Sequence, residues 1–259
     1  MITLPLDNGC YTSPTHGGIW PCNKIPSLSF YPQALYIVWK AAQMAKKGIY
    51  TDGDWARSSF DIVRALESCG VQLQVAGMET IMANSEPCVF IGNHTSTLET
   101  FVLPTLIPPY KPATFVIKQS LIDYPLFKHV MRSRNPVVVN RTNPREDLKT
   151  VLSQGCEKLA AGTSIIVFPQ TTRTTTFDAE QFNSIGIKLA RKANVPIIPL
   201  ALKTDAWSNG QQLKDFGPIL ADKKVHFEFG AAIDSNGNSK EIQETIINFI
   251  QGNLKRWQE

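Results

Sequence analysis

Cysteine is scarce in this chain and carries no pattern. Five residues, Cys10, Cys22, Cys69, Cys88 and Cys156, are scattered over 259 positions without C-x-x-C spacing. An odd, dispersed set argues against a disulfide framework or a structural zinc site and fits a reducing compartment. Cys10, His16 and Cys22 offer three metal-ligating groups in the first loop, but on irregular spacing, so a plain surface loop is expected and no metal. Long apolar runs are missing as well: the most apolar stretch, residues 30–47, is too short and too interrupted to span a bilayer. The N-terminal Met1-Ile2-Thr3-Leu4-Pro5-Leu6-Asp7 has no charged region leading into an apolar one, so no secretion signal is expected. Lys and Arg outnumber acids by only 26 to 22, a formal charge of +4, and form no dense run. That excludes a dedicated nucleic-acid binder and favours an anionic substrate or a membrane surface. There is no internal repeat and no low-complexity tract.

The chain does carry a regular alternation of helical and β-rich segments. Residues 1–28, rich in Pro, Gly, Ser, Thr and Asn, read as an irregular lead-in. Two helices come next, over residues 30–47 and 54–69, with Gly48 and Gly70 as stops. This Trp- and Phe-bearing hairpin either covers the core of the domain after it or lies in a membrane interface, with Lys40, Lys46, Lys47, Arg57 and Arg64 towards anionic lipid. Beyond Gly70, strands are expected at 71–76, 88–91, 114–118, 137–140, 164–168, 196–202 and 225–229. Helices are expected up to 106, at 144–161 and 184–193, and from 238 onward. The expected fold is therefore α/β, a central, mostly parallel sheet flanked by helices, with an N-terminal helical hairpin. The division is residues 1–69 for lead-in and hairpin, and 70–259 for the α/β domain.

Histidine is rare, with four in the chain, and one stands out. His94 comes after the apolar run Cys88-Val89-Phe90-Ile91, and Glu99 lies five positions later. An imidazole accepts a hydroxyl proton near neutral pH, and a nearby carboxylate fixes its tautomer and stabilises the imidazolium. Such a pair arises by chance about 0.3 times in this composition, so its weight comes from partners. Lys118, Arg141 and the stretch Pro169 to Arg173 each follow a β-rich run too. In α/β sheets, ligands gather at the carboxyl ends of strands, so one base, one acid and three cations are expected in one cleft. Arg141 and Arg173 suit bidentate binding of a phosphate, with Lys118 as a point charge.

These motifs together resemble the glycerolipid acyltransferases typified by lysophosphatidate acyltransferase. The Asn-His-x4-Asp block is matched by Asn93, His94 and, with a substitution, Glu99. A block ending in arginine after an apolar strand is matched by Arg141. Phe-Pro-Glu-Gly-Thr-Arg is matched in part by Phe168-Pro169-Gln170-Thr171-Thr172-Arg173, and an apolar strand with prolines by Val195-Pro196-Ile197-Ile198-Pro199-Leu200. The blocks run in family order across about residues 70 to 230.

The resemblance implies transfer of a fatty acyl group from acyl-CoA or acyl carrier protein to the hydroxyl of a lysolipid acceptor, with no cofactor, metal or covalent intermediate. His94 would be the base and Glu99 its orienting acid. Lys118, Arg141, Gln170, Thr171, Thr172 and Arg173 would bind substrate, and backbone N–H groups near Thr171 or Thr172 would receive the oxyanion. It also implies a peripheral or monotopic protein on the cytoplasmic face of a membrane, docked through the hairpin. The departures are specific: Glu99 is one methylene longer than the usual Asp, Gln170 is an amide where the family has a carboxylate, Thr171 replaces glycine, and Asn140 stands where an aspartate often precedes the arginine. Gln170 can hydrogen-bond a hydroxyl but cannot carry a proton. Two other readings stay open: a lipid-binding member of the same fold with altered catalysis, and a hydrolase using Ser96 or Ser120, for which no Gly-x-Ser-x-Gly elbow is present.

Overall fold

The computed structural model describes residues 3–14, 18–125, 127–170 and 172–258. Among them, strands β1 (Tyr11–Thr12), β2 (Leu73–Ala76), β3 (Val89–Gly92), β4 (Ala113–Lys118), β5 (Val137–Val139), β6 (Ser164–Val167), β7 (Ile197–Lys203) and β8 (Val225–Phe229) form one sheet. The spatial order is β1-β2-β8-β7-β3-β6-β4-β5. Only the β1/β2 and β7/β8 pairs are antiparallel, so the expected mostly parallel sheet is found. The four strands β3, β6, β4 and β5 are adjacent and parallel. Their carboxyl ends, and the loops that leave them, therefore share one edge.

Successive strand side chains point to opposite faces. Phe90, Ile166 and Ile198 enter one core while Val89, Ile91, Ile165, Val167 and Ile197 enter the other. With both faces buried, the strands read as continuous apolar runs, as parallel sheets do. The first face is covered by α1 (Pro26–Lys46), α2 (Asp52–Ser68), α3 (Met78–Ala83), α4 (Leu98–Leu106), α5 (Gln119–Asp123) and α6 (Lys128–Ser133). The second is covered by α7 (Pro144–Ala160), α8 (Ile185–Ala193) and α9 (Ser239–Arg256).

Local chemistry sets the helix starts. Thr51 and Asp54 form a reciprocal capping box at α2, a device worth about 1 kcal/mol. Asn143 accepts N–H bonds ahead of Pro144 at α7, and Asn238 accepts from the Lys240 N–H at α9. At the turn from β2 into α3, Gly77 adopts φ +78°, and a Cβ there would lie 1.9 Å from the Phe229 carbonyl oxygen. Only glycine fits.

The lead-in is less irregular than its composition suggests. Tyr11–Thr12 adds an edge strand to β2, and α1 starts at Pro26, inside the stretch read as irregular. The short helices α3, α5 and α6 had no expected counterpart, because five or six residues are too few to display a 3.6-residue period. The hairpin packs on the sheet: Phe30, Ala34, Ala41, Trp55, Ile62 and Leu66 belong to the first core. Its outer side is different. Leu28, Leu35, Tyr36 and Trp39 of α1 are 70, 40, 62 and 56% exposed, a stripe at helical spacing. No helix among the described residues is long and apolar enough to cross a membrane.

Candidate active site

β3 ends at Gly92, where a Cβ would press to 2.9 Å against the Leu200 carbonyl oxygen, so the chain leaves the sheet tight against β7. Asn93 then behaves as a backbone surrogate. Its amide oxygen accepts the Leu202 N–H at 2.8 Å, and its amide nitrogen donates to the Leu202 carbonyl at 2.7 Å. This prolongs the ladder by one step and fixes where His94 emerges. The loop is also tied to the end of β6. Gln170 Oε1 accepts the His94 N–H at 2.7 Å, Gln170 Nε2 donates to Thr174 Oγ1 at 2.9 Å, and the Thr174 N–H donates to the His94 carbonyl.

His94 Nδ1 lies 2.8 Å from Glu99 Oε1, and its ring stacks on Phe168 at 4.6 Å with a 4° tilt. The carboxylate selects the tautomer with a proton on Nδ1, which leaves the Nε2 lone pair for chemistry. Glu99 is fully buried at the start of α4. Its oxygens accept the Thr95 N–H at 2.7 Å and the Ser96 N–H at 3.0 Å, and Thr204 Oγ1 donates to Oε2. Burial alone would raise its pKa, but the hydrogen bond and charge of His94, the Thr204 hydroxyl and the backbone outweigh it and hold the carboxyl below its ordinary value. The extra methylene of Glu99 is thus absorbed in depth: the carboxylate reaches both the imidazole and Thr204 at the end of β7.

His94 opens on a cavity of about 480 Å³. Its wall combines polar and charged groups, among them His94, Lys118, Arg141, Thr172 and Arg173, with apolar ones, among them Val38, Trp55, Ile62, Phe101, Phe115 and Val130. Helices of the hairpin, α4 and α6 thus supply apolar wall to the cavity on which His94 opens. Arg141 sits at φ +60°, a strained conformation for a non-glycine residue. It is held there by Asp147, whose carboxylate accepts the Asn140 and Arg141 N–H groups at 3.0 and 2.9 Å. Burial lowers the Arg141 pKa, against the attraction of Asp147.

Of the residues expected in one cleft, His94, Lys118, Arg141, Thr172 and Arg173 line the cavity together. Glu99 sits behind the ring. Gln170 is buried, is absent from the cavity wall and engages the two loops instead. Thr171 lies outside the described residues, as does His16; Cys10 and Cys22 are free thiols. Ser96 is buried, its hydroxyl directed to Thr204 and Glu99, away from a nucleophile's role; Ser120 lines the cavity. Sequence reasoning missed Thr97, Thr204, Lys214 and Asp215. The last three come from the long connection after β7, which carries no periodic signal.

The family model described as Acyltransferase matches residues 72–203, about half of the chain. The chain belongs to the acyltransferase family. A 1-acyl-sn-glycerol-3-phosphate acyltransferase of Pseudomonas aeruginosa is 31% identical over 148 residues, 57% of this chain and 55% of that protein. A probable 1-acyl-sn-glycerol-3-phosphate acyltransferase of Mycoplasma genitalium is 29% identical over 189 residues, 70% of this chain and 66% of that protein. The matches thus span only part of these relatives. The crystal structure of the 1-acyl-sn-glycerophosphate acyltransferase PlsC from Thermotoga maritima superposes with a TM-score of 0.66 at 20% identity, over 89% of this chain and 93% of that one. The family segment carries His94, Glu99, Lys118, Arg141, Gln170 and Arg173. The hairpin, Thr204 and Asp215 lie outside it.

Proposed function

We propose that this acyltransferase moves a fatty acyl group from an acyl thioester, of CoA or acyl carrier protein, to the hydroxyl of a lysolipid. The observation that carries this reading is the 2.8 Å contact of His94 Nδ1 with a buried Glu99, beside a cavity whose wall holds both cations and many apolar side chains. His94 Nε2 takes the proton of the acceptor hydroxyl as its oxygen bonds to the thioester carbonyl carbon. The tetrahedral intermediate then expels the thiolate, which receives that proton from the imidazolium. Glu99 keeps the ring oriented and stabilises its charged form in the interval. Lys118, Arg141 and Arg173 hold the acceptor's anionic group, and the apolar part of the cavity wall takes an acyl chain.

The relatives named as 1-acyl-sn-glycerol-3-phosphate acyltransferases support an acceptor of the lysophospholipid class. The exposed stripe Leu28, Leu35, Tyr36 and Trp39 on α1 supports docking on a lipid surface, with aromatic rings at headgroup depth and Lys40 and Lys47 facing anionic lipid. The test is a mass-spectrometric product screen of the purified chain with mixed lysolipids and both donor types. A diacyl product is expected. Binding of lysolipid with no product from any donor would favour the lipid-binding reading instead, and free fatty acid without an acceptor would favour a hydrolase.

A further inference from the structure

One carboxylate stands among the cations of the cavity. Asp215, between β7 and β8, lines the same cavity as Lys118 and Arg173. Its Oδ1 lies 2.8 Å from Arg173 Nη1 and accepts from Thr97 Oγ1 at 3.1 Å, while Arg173 Nη1 also donates to that hydroxyl. The three groups close a triangle that engages one carboxylate oxygen. Oδ2 has no protein partner among the described residues. The carboxylate is not on a loose tip: Trp207 Nε1 donates to the Asp215 carbonyl, and Trp207 packs on Phe30 of α1 and Phe101 of α4.

This placement has two electrostatic consequences. A dianionic headgroup approaching Arg173 meets a fixed negative charge beside it, and must share or displace the ion pair. A headgroup that carries an ammonium next to its anion meets cations for the one and the open Oδ2 for the other. Opposite charges laid out in this way discriminate between partners more than they tighten any one of them. We propose that Asp215 makes the acceptor pocket selective for lysolipids with zwitterionic headgroups, an anion plus an ammonium, over bare phosphomonoesters. This rests on the acyl-transfer reading and names the substrate class within it.

The experiment uses the full chain, one acyl thioester and two lysolipids with the same acyl chain, one with a phosphoethanolamine headgroup and one with a phosphomonoester. The quantity read is the ratio of their kcat/KM values. Asp215→Asn is expected to lower the zwitterion-to-phosphomonoester ratio by on the order of 10-fold, through opposite changes in the two acceptor KM values, and Asp215→Glu to keep most of it. Asp215→Ser carries the same expectation as Asp215→Asn should the amide disturb folding. An unchanged ratio in a variant that still unfolds cooperatively overturns the proposal and leaves acyl transfer standing. No acyl product from the wild-type chain with either acceptor sinks the acyl-transfer reading, and the selectivity with it.

Discussion

Two imidazoles in this molecule lie flat against an aromatic ring, and their surroundings are opposite. His94 stacks on Phe168 at 4.6 Å and His226 on Trp257 at 4.8 Å. Behind His94 is a buried carboxylate at 2.8 Å. Around His226 are burial and then the charges of Lys203, Lys224 and Arg256, which Asp205 only partly opposes, and together they lower its pKa to about 4. Local sequence would have offered His226 an acid of its own, since Glu228 lies two positions on, on the same side of β8. Arg256 at the end of α9 takes that carboxylate instead. The ring and its stacking are shared, so burial and the neighbouring charges separate an imidazole paired with a carboxylate from one kept neutral.

The largest effect should come from removing the partnered ring. His94→Ala is expected to cut turnover by on the order of 10²-fold to 10⁴-fold while leaving the fold intact. Steady-state kinetics beside a circular-dichroism melt checks both halves, and near-normal turnover would end the role given to His94. His226→Phe, which keeps a stacked ring, should by contrast leave acyl transfer close to wild type.

A smaller loss should come from shortening the acid. Glu99→Asp withdraws the carboxylate by roughly 1.5 Å, so it can no longer reach both His94 and Thr204. A misplacement of that size costs on the order of 10²-fold in kcat. Thr204→Val should lower kcat in the same direction, and combining it with Glu99→Asp should add little, because the two changes break one contact. Additive losses in a double-mutant cycle would show that Thr204 does not act through Glu99.

The smallest effect concerns stability. His226 takes a proton near pH 4 when folded, against about 6.5 for an unperturbed imidazole, so between these values the unfolded chain binds more protons. Stability from this group is therefore complete above about pH 6.5, falls as the pH drops towards about 4, and changes no further below that. Urea midpoints measured at neutral pH and near pH 4.5 should fall less in His226→Phe than in wild type. Equal falls would mean that neither burial nor the cationic surroundings lower the pKa of this ring.

Much of the molecule was legible before any coordinates. The apolar runs at β3, β6 and β7 announced strands, because each such run is a local property of four to seven residues. His94 with Glu99 was legible because both lie on one short segment, and Lys118, Arg141 and Arg173 because each lies at or beyond the carboxyl end of a strand. The motif position of Gln170 suggests substrate contact but not what the structure adds, an amide that joins two loops 76 positions apart at their hydrogen bond. Asn93 was quoted as a motif residue, yet its bonds to Leu202 span 109 positions and leave no local trace.

Sequence alone settled the α/β class, the order of the main elements and the candidate base with its acid, since these depend on periodicity and on neighbours a few residues away. Tertiary structure decided which cations share the cavity, that Thr204 receives the far side of Glu99, and that Asp215 faces Arg173. Those contacts join the ends of separate strands and a connection with no regular pattern, and a hydrogen bond or ion pair is set by distance in space, which chain position does not encode.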